Sequence, residues 1–356
     1  MVVAGVVSGR GCAGQGVSVD SVRVFAGWGG WGAASVELRN LLSPAVVEEL
    51  GVAFAGAVGW HGGQVRPAGE AYWEHLLQVV DVLVGGVGVT DVDLLRAGVL
   101  HDVVEDTGGT VGELEARFGA RTAGFVEAVT IGVEGRTAYL GKLAGAPREV
   151  LLLELSDRYS NVQRLHTHPR VVKQRSYYAE TVEHFVPLAT VDPRLEELFT
   201  RWAAAYSYLA GPVDTLENVD RLAAAVHREQ VDKSGEPYVL HVRGAAEIAR
   251  RDGADEHQQM AALLHDSVED TSCTLTQLTD LGVPPEVVEM VDALTRRPDE
   301  SHDDYLNRLV HTPAAVPVKR ADIEHNSSHA RRSRLDPETQ ERLRKKYAHA
   351  LEVLAG

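Results

Sequence analysis

One eight-residue sequence occurs twice in this chain, and the repetition constrains the fold more than any other feature. The copies are LHDVVEDT at residues 100–107 and LHDSVEDT at residues 264–271. An imidazole and a carboxylate buried side by side lose free energy unless each finds a polar partner, so packing alone gives little reason to bury them. A pair that is present twice therefore indicates a use other than packing.

Matching histidine and aspartate residues flank both copies at an almost constant separation. These pairs are His61 and His227, His75 and His241, and Asp157 and Asp322, with offsets of 165 or 166 residues. A nearly constant separation between so many matching residues indicates that one half of the chain is an internal duplication of the other.

The chain is long enough for two domains, and the repeat predicts where they divide. We predict a disordered leader over residues 1–40, which are rich in glycine and valine, a first domain over 41–210 and a second over 213–356. Apolar residues recur at helical spacing in both halves, and almost no stretch alternates as a strand would. The predicted fold is all-α, with two tandem units that pack together through an aromatic helix spanning Arg201 to Leu209.

Composition excludes several classes of function. A net charge of −16 argues against nucleic acid as a partner. Cys12 and Cys273 are the only cysteines, so a disulfide framework or cysteine-rich zinc module is excluded and a reducing cytoplasm is the expected location. No run reaches the roughly 18 apolar residues of a membrane helix, and the short apolar start lacks the preceding basic residue of a signal peptide.

The repeated side chains are ligands for first-row transition metals. Imidazole nitrogens and carboxylate oxygens suit Mn²⁺, Fe²⁺ or Zn²⁺, and two of each leave positions open for water and substrate. The candidate ligands are His75, His101, Asp102 and Asp157, and again His241, His265, Asp266 and Asp322. Four residues after each His-Asp pair come further carboxylates, Glu105, Asp106, Glu269 and Asp270, which are expected to flank the ion. His61 and His227 are either packed or support the ligands from behind.

The order His, His-Asp, Asp resembles the HD-domain metal-dependent phosphohydrolases, and the surrounding residues narrow the likeness to the RelA/SpoT-type alarmone hydrolase group. In the second half the likeness is carried by His227 to Gln230, Lys233 to Tyr238 with His241, Leu263 to Thr271, and Lys319 to Asp322 with Asn326. In the first half it is carried by Leu100 to Thr107, Phe118-Gly119, and Ser156 to Asn161.

This resemblance implies an all-helical domain that holds one Mn²⁺ through the two histidines and two aspartates of each half. The Glu-Asp pairs would align or activate the attacking water, whose pKa a metal lowers toward neutrality. The residues implied in substrate binding are Arg66, Asn161, Lys233, Lys319 and Asn326. The implied reaction removes the 3′-pyrophosphate of guanosine 3′,5′-bis(diphosphate), the alarmone of the stringent response.

Departures from the family pattern leave alternatives open. Where the family has an Arg-Lys pair, the first half has Arg66-Pro67 and the second Asp232-Lys233. Lys319 is matched in the first half by Glu154, an acid where a phosphate contact is expected. The substrate is then another nucleotide, such as NADPH or a nucleoside phosphate, or one unit is catalytic and the first is a degenerate nucleotide-sensing copy. A purely non-catalytic protein would have lost a ligand, and both sets are complete.

Overall fold

The structure, a computed structural model, describes residues 22–232 and 235–355. Within these ranges the regular structure is helical, and β-type pairing is limited to two isolated antiparallel bridges, Val65 with Ala71 and Val231 with Pro237. The prediction of an all-α fold is confirmed.

The helices follow one another in two series, separated near residue 211. The first series is α1 (Trp31–Leu38), α2 (Pro44–His61), α3 (Tyr72–Asp81), α4 (Val92–Leu100), α5 (Val103–Asp106), α6 (Val111–Phe118), α7 (Ala120–Val129), α8 (Gly135–Leu143), α9 (Arg148–Val162), α10 (Val171–Glu180) and α11 (Pro193–Ala205). The second is α12 (Leu216–Val226), α13 (Val239–Arg251), α14 (Glu256–Leu264), α15 (Ser267–Asp270), α16 (Leu275–Leu281), α17 (Pro285–Leu294), α18 (His302–Leu309), α19 (Val316–Asn326), α20 (His329–Arg332) and α21 (Pro337–Val353). Single 3₁₀ or π turns cover Gly27–Gly29, Val82–Val87, Leu165–Thr167, Thr181–Phe185, Pro187–Val191, Ser207–Ala210 and Pro313–Ala315.

The helix before each His-Asp pair begins at an aspartate and ends at the histidine. The Asp91 side chain caps α4, and Asp255 forms a capping box with Gln258 at the start of α14. After the repeat, Thr110 with Glu113 and Thr274 with Gln277 form capping boxes that begin α6 and α16. Local sequence therefore sets both ends of the segment that presents the imidazole and the carboxylate.

The leader prediction is wrong for residues 22–40, whereas residues 1–21 lie outside the described part of the chain. Phe25 is 1% exposed, and its backbone N–H and C=O both bond the side-chain amide of Gln163, at 2.7 and 3.1 Å. Trp31 opens α1 and stacks on Phe54 of α2 at 5.4 Å between ring centroids. The glycines that suggest disorder instead adopt the positive φ angles of a tight turn, as at Gly27 (63°).

The two halves pack together partly through the aromatic segment that the sequence indicates. The helix is shorter than predicted, because α11 ends at Ala205 and a 3₁₀ turn covers Ser207–Ala210. The Tyr206 hydroxyl accepts a hydrogen bond from Arg228 of the second half at 2.6 Å. Arg175 of α10 also donates to the Leu281 carbonyl at 2.9 Å, which extends the contact to α16.

No helix in the described ranges combines the length and the apolar character needed to cross a membrane.

Candidate metal centres

The first set of predicted ligands forms one tight cluster. His75 Nε2 lies 3.1 Å from Asp157 Oδ1 and 3.4 Å from Asp102 Oδ2. His101 Nε2 lies 2.8 Å from Asp102 Oδ2 and 3.3 Å from Asp157 Oδ1, and the two Nε2 atoms are 3.3 Å apart. Residues from α3, the end of α4 and α9 thus converge, with all four ligand atoms within 4.8 Å of one another.

In the second set, His241 of α13 and His265 and Asp266 at the end of α14 form a group with all three ligand atoms within 4.8 Å of one another, and Asp322 of α19 lies beside this group. His265 Nε2 lies 3.0 Å from Asp266 Oδ2, and His241 Nε2 lies 3.5 Å from that oxygen. Asp322 Oδ1 is 3.3 Å from His241 Nε2 and 3.6 Å from His265 Nε2. Asp322 differs from its counterpart because its other oxygen accepts a hydrogen bond from Lys319 at 2.8 Å.

Hydrogen bonds at the far side of each ring orient the imidazoles. The Nδ1 atoms of His101 and His265 lie 3.0 and 2.7 Å from the carbonyl oxygens of Gly98 and Ala262. A carbonyl can only accept, so Nδ1 carries a proton, and Nε2 faces the carboxylates as the nitrogen that can bind a metal once its own proton is lost. Both rings therefore present the atom that ligates a metal.

The donor sets fit a divalent cation. His265 Nε2 is buried and has no hydrogen-bond partner among the described residues. Burial disfavours the imidazolium forms of His101 and His265, yet the adjoining aspartates outweigh burial and raise the pKa of both rings well above its ordinary value. Positive charge therefore stabilises this group of two carboxylates and two imidazoles, and either protons or a metal ion can provide that charge.

The carboxylate pairs after each His-Asp dipeptide divide into two environments. Asp106 and Asp270 accept hydrogen bonds, both at 3.1 Å, from tyrosine hydroxyls that also donate to the clusters. Glu105 and Glu269 instead accept from the backbone N–H groups of Ile131 and Arg296, each at 3.0 Å, on the segments after α7 and α17. The structure therefore brings all four beside the clusters without placing them among the closest ligand atoms.

The linking tyrosines, Tyr72 and Tyr238, are site residues that the sequence analysis missed. Tyr72 donates to Asp102, and Tyr238 donates to Asp266 at 2.6 Å. Burial and the nearby carboxylates raise the pKa of both hydroxyls, so they remain protonated donors. Their separation of 166 residues, equal to that of the neighbouring histidines, is a signal that would have found them.

The upstream histidines, His61 and His227, pack against these tyrosines and are not among the candidate metal ligands. The His61 ring stacks on Tyr72 at 4.5 Å, and the His227 ring packs on Tyr238 at 5.0 Å. Each Nδ1 atom lies within 2.9 Å of a glutamine side chain three residues later. They are packed residues that support the site.

Three of the five predicted substrate-binding residues, Asn161, Lys319 and Asn326, form hydrogen bonds with the clusters themselves. Asn161 Nδ2 donates to Asp157 Oδ1 at 2.7 Å, and Asn326 Nδ2 donates to Asp322 Oδ1 at 2.6 Å. Arg66 NH2 donates to Asn161 Oδ1 at 2.8 Å. Lys233 lies outside the described residues.

Glu154, the acid that takes the place of Lys319 in the first half, is buried beside the first cluster. Its buried carboxyl accepts a hydrogen bond from the Tyr139 hydroxyl. Burial, reinforced by the charge of Asp157, raises the pKa of Glu154 to about 8. The group is therefore mainly protonated at neutral pH, so it is an acid in place of Lys319 without a full negative charge.

A cavity of about 660 Å³ opens beside the first cluster and is lined by Asp102, Glu105 and three cationic side chains, Arg136, Arg158 and Lys173. Arg136 and Arg158 both pair with Glu180, at 2.6 and 2.9 Å. The side chain of Lys173 is exposed, and its ammonium group forms no hydrogen bond or ion pair with another described residue. Sequence analysis did not identify these cations as candidate binding residues, because none of them lies in the repeated eight-residue sequence.

Part of this chain is similar in sequence to known proteins. It is 37% identical over 189 residues to a guanosine-3′,5′-bis(diphosphate) 3′-pyrophosphohydrolase of Aquifex aeolicus, covering 48% of this chain and 26% of that protein. It is 31% identical over 177 residues to the protein of the same name in Vibrio cholerae, covering 45% and 25%. The chain thus spans about a quarter of the length of these relatives.

One solved structure, from work on a metazoan ortholog of SpoT that hydrolyses ppGpp, aligns with 43% of this chain and 93% of its own at 24% identity and a TM-score of 0.41. The HD domain family matches this chain twice, over residues 53–193 and 221–314, and each match contains a His-Asp pair. The protein therefore belongs to the HD domain family.

Proposed function

We propose that this protein is a metal-dependent phosphohydrolase that removes the 3′-pyrophosphate of guanosine 3′,5′-bis(diphosphate). The observation that carries the proposal is the His75, His101, Asp102 and Asp157 cluster at the edge of a 660 Å³ cavity lined with arginine and lysine. A cluster of metal ligands beside a cavity that offers three cationic side chains suits a polyphosphate substrate. The names of the partly matching relatives favour this nucleotide.

In this proposal each cluster holds one Mn²⁺ through its two histidines and two aspartates. A bound divalent metal supplies Lewis acidity, which lowers the pKa of water and offsets negative charge on phosphoryl oxygens. Tyr72 and Tyr238 hold one oxygen of Asp102 and Asp266 in place and connect the clusters to Asp106 and Asp270.

The neighbouring carboxylates take the proton of the attacking water in this mechanism. Burial raises the pKa of Glu105 in the first half and of Asp270 in the second, and nearby aspartates add to the effect. A carboxylate with raised proton affinity is a better general base near neutral pH. Asp106 and Glu269 would align the water from the other side of each pair.

The cations of the first cavity would bind the phosphate groups. Lys173 has its charge uncompensated by any described partner, whereas Arg136 and Arg158 share Glu180. Asn161, which lines this cavity, donates a hydrogen bond to Asp157 of the metal cluster and accepts one from Arg66. In the second half the corresponding contacts would come from Lys233, Lys319 and Asn326.

A second candidate function makes only one half catalytic, with the other a nucleotide-sensing copy. The ion pair between Lys319 Nζ and Asp322 Oδ2 favours it, because a partly buried ammonium group beside a ligand oxygen competes with a metal ion. On this ground the second half, rather than the first, would be the weaker centre. Another nucleotide substrate, such as NADPH or a nucleoside phosphate, is the further alternative.

We also propose the domain limits 41–210 and 213–356, with residues 22–40 added to the first domain because they pack on it. A small-molecule nucleotide partner and a cytoplasmic location complete the proposal. The net charge of −16 supports the absence of a nucleic-acid partner.

The test is metal-dependent product formation. Protein stripped with EDTA is supplied with Mn²⁺, Mg²⁺ or Zn²⁺ and incubated with guanosine 3′,5′-bis(diphosphate), NADPH or GMP, and products are separated by anion exchange. GDP and pyrophosphate in equal amounts, formed only with metal, would support the proposal. Hydrolysis of NADPH or GMP alone would overturn the substrate assignment, and no hydrolysis of any nucleotide by the metal-loaded protein would overturn the activity.

A further inference from the structure

A second, smaller cavity adjoins the cavity beside the first metal cluster. It has a volume of about 240 Å³ and shares Tyr72, Asn161 and Tyr177 with the larger one. Two arginines, Arg66 and Arg164, line it. Both cations therefore lie in a cavity that shares three wall residues with the cavity beside the first metal cluster.

Arg164 is held by a residue of the other half. Its Nε and NH2 atoms donate to the two carboxylate oxygens of Glu229 at 2.5 and 2.6 Å. Arg164 follows the end of α9, the helix that carries Asp157, and Glu229 follows the end of α12. This two-pronged ion pair fixes the plane of the guanidinium group as well as its position.

One nitrogen of that guanidinium group is left for a ligand. NH1 of Arg164 makes no hydrogen bond within the described part of the chain, although the side chain is only 26% exposed and lines the cavity. A held guanidinium group has lost its conformational freedom before a ligand arrives, so binding costs less entropy.

The segment after α12, which carries Glu229, also contacts the end of α9 through Arg228. Arg228 NH1 donates to the Gln163 carbonyl at 3.2 Å and to the Tyr206 hydroxyl at 2.6 Å. The Gln163 side chain donates to Gln78 Oε1, which also accepts from Arg66. Contacts from the second half thus reach both cations of the smaller cavity.

We propose that Arg164 binds a phosphate oxygen of the nucleotide in the first centre, and that Glu229 of the second half is a positioning residue that orients it. The inference rests on the proposed function and deepens it. In this proposal the second half contributes to substrate binding at the first centre, whether or not the second centre is itself catalytic.

The experiment uses the full chain with Asp266→Ala, so that turnover reports the first centre. Glu229→Gln keeps the shape of the side chain and removes its charge; Glu217→Gln, which breaks an exposed pair with Arg221 at the far end of α12, is the control. We expect Glu229→Gln to raise KM for guanosine 3′,5′-bis(diphosphate) about tenfold with kcat within twofold, because one charge-assisted contact is misplaced. The control should leave both constants unchanged.

Equilibrium binding of GDP to the same variants separates this inference from the proposed function. A weaker GDP affinity in Glu229→Gln without any hydrolysis by the parent protein would sustain the inference and overturn the activity. Hydrolysis with unchanged KM and GDP affinity would overturn the inference alone. Absence of both hydrolysis and GDP binding in the parent protein would overturn both.

A charge swap, Arg164→Glu with Glu229→Arg, tests whether the pair merely holds the halves together. The swap rebuilds the ion pair, so the midpoint of thermal unfolding should equal that of the parent protein. It also removes the cation from the cavity, so KM should remain as high as in Glu229→Gln. Recovery of KM along with the midpoint would show a purely structural pair and contradict the inference.

Discussion

The Nδ1 atoms of His241 and His325 lie 2.9 Å apart, where the first half instead places Ser160 Oγ 3.0 Å from His75 Nδ1. Two ring nitrogens at this distance share one proton. Burial, together with the charges of His241 and Arg331, lowers the pKa of His325 to about 4, so its neutral ring can accept that proton. His241 then presents Nε2 to its cluster as His75 does.

This arrangement predicts a specific role for Gly244, because a Cβ atom added there would lie 2.1 Å from His325 Nε2. Gly244→Ala should displace His325 and weaken Mn²⁺ binding at one of two sites about 10- to 100-fold, the usual effect of losing a residue that orients a ligand. Gly59→Ala, where an added Cβ meets no atom within 4 Å, is the control. Calorimetric titration measures both, and equal affinities in the two variants would refute the role.

Metal binding should release protons. In the metal-free protein the aspartates outweigh burial and raise the pKa of His101 and His265, so both rings hold protons that a metal must displace. Affinity for Mn²⁺ should therefore rise with pH. Titrations in PIPES and in Tris, whose ionisation enthalpies differ, should give different apparent binding heats, and identical heats would count against the prediction.

Glu154 should make the metal-free protein less stable as pH rises. Its folded pKa of about 8 exceeds the ordinary value of 4.5, so its stabilising effect is full below pH 4.5 and is lost progressively up to about pH 8. The slope reaches at most about 1.4 kcal/mol per pH unit. Glu154→Gln mimics the neutral carboxyl and should be more stable than the parent near pH 9 but similar near pH 5, as measured by urea unfolding with EDTA. The same difference at both pH values would contradict this.

Phe25 should stabilise the fold, although it lies in a segment that reads as disordered. The ring is 1% exposed and packs edge-on against Tyr159 at 5.8 Å. Phe25→Ala should cost about 3–5 kcal/mol of unfolding free energy. Val36→Ala, at a position 60% exposed, should change it by less than about 0.5 kcal/mol. Similar values for the two variants would favour a loosely held segment.

Most of the fold and of the candidate metal centres that could be predicted followed from local sequence patterns. The helices follow from apolar spacing and from caps such as Asp91 and Thr110, which act within a few residues. The metal clusters follow from the repeat, because His75 and His241 occupy matching places and a repeated unit folds in the same way. Tyr72 and Tyr238 share the same offset and were predictable in principle.

Other features depend on tertiary contacts that no local pattern records. Arg164 and Glu229 are 65 residues apart and meet only because the halves pack together. The charge of Glu154 depends on burial, which sequence position does not give. The glycine-rich start reads as disorder because its order comes from contacts such as that of Phe25 with Gln163.

The most direct test of the account is pyrophosphate release from guanosine 3′,5′-bis(diphosphate) with Mn²⁺, measured beside bound manganese for the parent protein, Asp102→Ala and Asp266→Ala. Asp280→Asn, at an exposed aspartate remote from both clusters in sequence, is the control. We predict that each alanine variant loses one of two bound manganese ions and that Asp102→Ala loses the larger share of activity. Unchanged manganese content in Asp102→Ala, or full activity without it, would contradict the assignment of the first cluster as a catalytic metal centre.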